Sequence, residues 1–273
     1  MIRYVSYGVG AIFSLALLVG AFTPRDEAHP DPVKALEKEH KEVHFAHQGI
    51  FGTYDRAQLQ RGFQVYREVC SACHSLNLVA FRSLADLGYN EAEIKAIAKS
   101  YEVPAIDEKT GEATTRPALP SDHFHGPYEN EVAAAAANNG KAPPDLSLIV
   151  KAREGHEAYI YSILTGYQNP PAGFDVPEGR SFNPYFPGTV IGMPKPLSDD
   201  QVTYADGTKA TVDQMAKDVA AFLTWTAEPK LENRKRTGVG AIAFLSILLV
   251  LSIISYKKIW ASVKGPKPHD TMA

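Results

Sequence analysis

Apolar residues are distributed unevenly along the chain. Long uninterrupted runs occupy the two ends, and between them apolar positions recur at helical spacing in short bursts separated by proline- and glycine-rich stretches. The first run, Tyr4 to Phe22, is preceded by Arg3 and followed by Arg25, Asp26 and Glu27. It is about long enough to cross a bilayer, for which ~20 apolar residues are needed. Two readings stay open for residues 1–22: a secretory signal peptide with small residues (Gly20, Ala21) near a cleavage point, or an uncleaved N-terminal anchor. In both cases the middle region is exported. The second run, Gly238 to Tyr256, carries no charge. In water such a helix must be buried on every side, whereas lipid satisfies it, so a transmembrane helix is predicted over 238–256. Tyr256 and Trp260 suit one interface. Basic residues flank the run on both sides, at 230–237 and after 256, and do not set its direction. Export of the middle region does, leaving 257–273 as a cytoplasmic tail.

Residues 23–50 are charged and proline-punctuated, with His29, His40, His44 and His47. A histidine tract can bind metal, but the expectation is a solvated linker or a short surface helix. Within 51–229 four helices are predicted. Asp55–Val69 places Leu59, Phe63 and Tyr66 on one stripe. Asn90–Tyr101 opens on a capping-box pair, Asn90 and Glu93, and aligns Ile94, Ile97 and Tyr101. Thr211–Trp225 repeats the capping pattern with Thr211 and Gln214 and aligns Val212, Met215, Val219 and Phe222. A fourth covers Glu157–Leu164. Strand alternation is scarce. Proline- and glycine-rich loops, notably Pro143-Pro144 and Asn169 to Pro196, fill the gaps. The fold class is therefore mainly α: one domain with long loops that must pack around something large, plus a single C-terminal membrane helix.

The 273 residues carry a net charge of −3, and no basic face suggests nucleic acid. Glycine-rich phosphate loops are absent. The two cysteines exclude a multi-bridge disulfide scaffold and, without further paired ligands, a structural zinc site. What remains is a redox dithiol or haem attachment. Cys70-Ser71-Ala72-Cys73-His74 has the C-x-x-C-H spacing in which two thiols add to the vinyl groups of a haem and the adjacent histidine faces the iron. A thioredoxin-like dithiol would sit in a βαβ context; here the motif closes an amphipathic helix.

A sixth iron ligand must come from elsewhere in the chain. Met1 starts the chain and Met272 lies in the tail. Met215 sits on an apolar helix stripe, where filling the core is its expected role. Met193 sits in the stiff loop Ile191-Gly192-Met193-Pro194-Lys195-Pro196 and is the preferred ligand. His123, His125 and His156, which would give a bis-His site, read as surface residues. His/Met ligation leaves no open coordination position and favours electron transfer.

From about Gly49 to Lys264 the chain closely resembles the cytochrome c1 family, the haem subunit of ubiquinol:cytochrome c oxidoreductase. The resemblance is carried by RGFQVYREVCSACHS (Arg61 to Ser75), NNGKAPPDLSLIVKAR (Asn138 to Arg153), YIYSILTGY (Tyr159 to Tyr167), FNPYFPGTVIGMP (Phe182 to Pro194) and AKDVAAFLTWTAEP (Ala216 to Pro229). It implies one covalently attached haem c, with His74 and Met193 on the iron and Arg153 against a propionate. Asn138, Pro143, Pro144, Tyr159, Leu164, Phe186 and Ile191 match haem-pocket positions. It further implies a non-enzymatic subunit that takes an electron from a Rieske iron–sulfur protein and passes it to a soluble or tethered cytochrome c. Cytochrome b and the lipid bilayer would be its neighbours, in a dimeric parent complex of a bacterial inner membrane, with the haem domain periplasmic. Other membrane-tethered cytochromes c and an exported thiol oxidoreductase are the rival readings. Some bacterial relatives carry a disulfide before the methionine loop, and this chain has no cysteine for one. Between Asp86 and Glu112, seven carboxylates stand against three lysines, an acidic surface suited to steering a basic partner or simply a solvated face.

Overall fold

The computed structural model describes residues 2–23 and 33–264. The segment holding His29 and the tail holding Met272 lie outside them. Among the described residues, seven α-helices order the chain: α1 (Ile2–Phe22), α2 (Arg56–Glu68), α3 (Glu91–Lys99), α4 (Glu131–Ala137), α5 (His156–Thr165), α6 (Val212–Ala227) and α7 (Leu231–Ala261). The core centres on α6, which packs against α2 and α5. The predicted stripes face inward: Leu59, Phe63 and Tyr66 from α2, and Met215, Val219 and Phe222 from α6, are all buried. Met215 fills the core, as its place on the stripe implied. Helices α2 and α6 cross at Gly62, where a Cβ would lie 2.1 Å from the Asp218 carbonyl oxygen. Only glycine permits that approach.

Local capping chemistry sets the helix starts. Asp55 accepts from the Ala57 and Gln58 amides, and Asn90 with Glu93 forms a complete capping box. At α6 only half of the expected box forms. Thr211 accepts from the Gln214 amide, but the Gln214 side chain turns instead to Asp218, 2.9 Å away. That carboxylate is fully buried, and a buried charge needs every donor within reach. Arg61 supplies two more, from Nε at 3.0 Å and Nη2 at 3.3 Å, and its Nη1 reaches Asp206 at 2.8 Å.

Strand content is small but exceeds the sequence expectation. Three antiparallel two-stranded ribbons form among the described residues: β1 (Leu76–Ala80) with β4 (His123–Phe124), β2 (Glu102–Ile106) with β3 (Ala113–Pro117), and β5 (Ser181–Phe182) with β6 (Val190–Ile191). The β2–β3 register runs from Glu102 opposite Pro117 to Ile106 opposite Ala113. Only Val103 of its residues is buried, so no apolar alternation announces it.

The charged segment before α2 is not a free linker. Lys38 N–H donates to the Pro184 carbonyl at 2.8 Å, Lys41 N–H to Ser162 Oγ at 2.8 Å, and Lys41 Nζ to Thr165 Oγ1 at 2.7 Å. Phe45 and His47 are buried, their rings stacked 5.2 Å apart. A short surface 3₁₀ helix forms at Lys34–Leu36, one of the two expectations, and the stretch after it departs from a free linker. Residues 37–47 form a strap over α5 and the loop after β5, because their polar groups find long-range partners.

Helix α7 has 31 residues, a length of about 46 Å at 1.5 Å per residue, more than the roughly 30 Å hydrocarbon core. Only Leu231, at its start, is buried. The three residues between α6 and α7 are pinned. Tyr54 Oη donates to the Glu228 carbonyl at 3.0 Å, the Tyr54 amide to Glu232 Oε1 at 2.8 Å, and the Glu228 carboxylate pairs with Lys151 at 3.6 Å and with Arg234.

Candidate haem site

Helix α2 delivers the chain into a single 3₁₀ turn, Cys70–Ala72. The Cys73 and His74 amides both donate to the Cys70 carbonyl, at 3.1 and 2.9 Å. Both thiols are free. Burial, with Cys73 adding to it, pushes the Cys70 thiol up to about 12. An attacking thiol of an oxidoreductase has its pKa lowered instead, the opposite direction to that of Cys70.

The His74 ring is held from one side. Its Nδ1 lies 2.7 Å from the Pro144 carbonyl oxygen. A carbonyl can only accept, so Nδ1 carries the proton and Nε2 holds a lone pair. Burial lowers the imidazole pKa against the opposing pull of that same hydrogen bond, keeping the ring neutral as a metal ligand requires. Tyr66 Oη donates to the His74 carbonyl at 3.1 Å.

Asp145, which carried no assigned role in the sequence, organises the surrounding backbone. It accepts from Ser75 Oγ and the Asn77 amide, each at 2.7 Å, and from the Ser147 amide at 2.9 Å. Burial alone would raise its pKa, yet these donors hold it below the ordinary aspartate value. The signal in the sequence was local: Pro-Pro-Asp-x-Ser has an aspartate placed to bond the amide two residues on.

On the other side, β5 and β6 close the loop that ends at Met193. Asn183 is buried and donates from Nδ2 to the Ile163 carbonyl of α5 at 2.8 Å, and its amide pairs with the Thr189 carbonyl at 2.8 Å. Tyr167, just after α5, donates from its hydroxyl to the Met193 carbonyl at 3.1 Å. Burial raises the Tyr167 pKa, so it stays a donor. Met193, Cys70 and Phe186 lie half-buried against the same core to which Tyr159, Leu164 and Ile191 belong. Pro143 is half-buried, while Pro144 and Arg153 are exposed. Asn138 ends α4 and donates from Nδ2 to Tyr128 Oη at 3.0 Å and to the Ala134 carbonyl at 2.8 Å. Arg153 makes no carboxylate pair among the described residues; its Nη1 reaches only the Ala152 carbonyl, at 3.1 Å. His123, His125 and His156 are exposed, as expected.

The donor set fits a haem: two unbridged thiols one short turn apart, a neutral imidazole with a lone pair at Nε2, a tethered thioether, and an unpaired guanidinium. A mainly helical domain bearing this set, joined to a 31-residue helix with an uncharged apolar run at 238–256, defines a membrane-anchored c-type cytochrome.

The comparisons make the class specific. Residues 45–263 match the Cytochrome C1 family. Cytochrome c1 of Rhodospirillum rubrum is 49% identical over 232 residues, covering 79% of this chain and 85% of that protein. The mitochondrial cytochrome c1 haem protein of Saccharomyces cerevisiae is 50% identical over 224 residues, 82% of this chain and 72% of that one. The mitochondrial cytochrome b-c1 complex catalytic subunit of Candida albicans is 45% identical over 268 residues, covering 97% and 92%. The chain belongs to the cytochrome c1 family, the haem subunit of the respiratory cytochrome b-c1 complex.

Proposed function

We propose that this chain holds one haem c, bonded covalently through Cys70 and Cys73 and ligated by His74 and Met193, and that it relays single electrons from a Rieske iron–sulfur protein to a cytochrome c. The carrying observation is the Nδ1–H to Pro144 bond inside the Cys-x-x-Cys-His turn, which leaves the one ring nitrogen able to bind iron. The haem, when bound, supplies a one-electron iron couple. The remaining work belongs to this chain's own groups. Pro144 fixes the imidazole tautomer. Tyr167 and Asn183 hold the backbone on which the Met193 thioether is carried. Arg153 is free to neutralise a propionate, a carboxylate suited to its planar fork. Asn138, Pro143, Tyr159, Leu164, Phe186 and Ile191 wall the pocket and exclude water. His74 and Met193 together would leave a bound haem no open position for a substrate, so this chain would act as the electron-transfer subunit rather than as an enzyme by itself.

In this reading α7 crosses the inner membrane of a bacterium with the helical domain on the periplasmic side and the C-terminus in the cytoplasm. Cytochrome b flanks α7, and the parent complex is a dimer. The acidic segment supports the exit step. Six of its seven carboxylates, on α3 and the β2–β3 hairpin, are exposed, Asp86 being half-buried, and such a surface steers a basic cytochrome c.

The test is a pyridine-haemochrome spectrum of the denatured subunit. Haem that stays with the polypeptide after denaturation, with a c-type α-band and no alkylatable thiol, is the expected result. Two thiols free to alkylate and no Soret absorbance would overturn the assignment.

A further inference from the structure

The loop leading into α2 ends in two adjacent, strongly exposed apolar side chains, Ile50 at 69% and Phe51 at 83%. Single exposed apolar residues such as Leu78 are ordinary on a protein surface, but an isoleucine–phenylalanine tip on an ordered loop is not. The loop is closed at its base, where the Thr53 amide donates to the Ala46 carbonyl at 3.1 Å. Its path is specified by Gly52, where a Cβ would lie 2.0 Å from the Gln48 carbonyl oxygen. The haem reading uses neither Ile50 nor Phe51.

Contacts at the α6–α7 junction and on the first turns of α7 fix this loop. Tyr54 Oη meets the Glu228 carbonyl at 3.0 Å, and the Tyr54 amide meets Glu232 at 2.8 Å. Lys235 Nζ then donates to both sides of the loop base, the His47 carbonyl at 2.5 Å and the Gly52 carbonyl at 3.2 Å. Glu228 precedes α7, and Glu232 and Lys235 lie on its first turns, so these contacts hold the loop base beside the start of α7. Lys235 is three residues from Gly238, about 4.5 Å along the axis at 1.5 Å per residue. That is less than the roughly 5–7 Å thickness of each polar interfacial layer.

We infer that Ile50 and Phe51 are an interfacial wedge, inserted into the phospholipid layer beside α7 on the side of the helical domain. The occupant of this apolar tip is lipid, because the loop base is bonded to Lys235, a few residues before the exposed apolar surface that α7 presents from Val239 onward. The exposed cations Lys230 and Arg236 flank the start of the apolar run, where long basic side chains can reach headgroup phosphates. The wedge gives the helical domain a second membrane contact and fixes its rotation about α7.

The test is made on the purified cytochrome b-c1 complex reconstituted in phospholipid vesicles. Phe51→Cys and, separately, Ile50→Cys are spin-labelled, and collision with oxygen, which concentrates in lipid, is compared with collision with a water-soluble nickel chelate. Labels at Leu248, in the middle of α7, and at Leu78, 64% exposed and far from it in sequence, set the lipid and water limits. The unsubstituted chain takes up label only if Cys70 and Cys73 are free, which separates failure of the haem reading from failure of this one. The expected oxygen-to-chelate ratio at 50 and 51 is several-fold above that at Leu78. A ratio equal to that at Leu78 puts the loop in water and overturns the wedge. An immobilised label shielded from both reagents means a partner subunit covers the tip and overturns it equally. A water-like ratio at Leu248 overturns the membrane span and the wedge with it.

Discussion

The imidazole of His74 donates from Nδ1 to the carbonyl of Pro144, 70 residues further along the chain. This one bond joins the Cys-x-x-Cys-His turn to the proline pair and decides which ring nitrogen is free. The acceptor is main chain, so no side-chain substitution at position 144 removes it directly. The geometry is protected by the path of the backbone, which Asp145 in turn holds through Ser75, Asn77 and Ser147.

Met193→Leu is expected to keep the covalent haem but lose the thioether ligand. Axial ligation commands a span of about 0.8 V across haem proteins, so a fall in reduction potential on the order of 0.1 V or more is expected. Redox titration of the purified complex measures it. An unchanged potential would mean the ligand lies elsewhere.

Asp218→Ala should destabilise the helical domain strongly. It removes the buried acceptor of both Arg61 and Gln214 and leaves a largely buried guanidinium with only the half-exposed Asp206. Breaking one side of a buried pair costs about 3–5 kcal/mol. Thermal or denaturant unfolding of the complex followed at the Soret band reads the loss. Asp206→Ala, at the exposed end of the same network, should cost far less.

Glu157 gives a pH signature. Burial alone would raise its carboxyl, but the His47 ring and the Gln48 amide, which donates at 2.8 Å, bring it down to about 2 from an ordinary 4.5. The folded state thus binds this proton less readily than the unfolded state. The resulting stability is complete above about pH 4.5 and is lost as pH falls toward 2. Glu157→Gln should be less stable than the parent at pH 7 by roughly 1–3 kcal/mol, and the two should converge in acid. Unfolding midpoints compared across pH 2–7 check this; a gap that does not narrow would refute the linkage.

Electron delivery to a basic cytochrome c should slow as salt rises. The exposed carboxylates of α3 and the β2–β3 hairpin act at long range, and steering of this kind raises association rates by about 10–10³-fold at low salt. Reduction rates followed from low to high ionic strength read the effect directly. A flat profile would remove this surface from the exit step.

Local chemistry was legible from the sequence, and long-range chemistry was not. The α2 stripe, the Asn90–Glu93 box and the Cys-x-x-Cys-His turn each lie within a few residues, and all appear as read. Gln214 failed as a capping partner because Asp218, one turn along α6, is a buried anion with a stronger demand for donors. The strap from Lys38 to His47 looked solvated because its partners, Ser162, Thr165 and Pro184, lie more than a hundred residues away. The β2–β3 ribbon escaped notice because a strand pair with one buried residue has no hydrophobic period to detect.

The junction at Glu228 bears on kinetics as well as on architecture. Clamped by Tyr54, Lys151 and Arg234, it ties the helical domain to the start of α7. In the proposed reading, a haem held by the helical domain would then keep one altitude above the bilayer. Any change in tunnelling distance during turnover must be travelled by the donor or the acceptor, while this chain stays still.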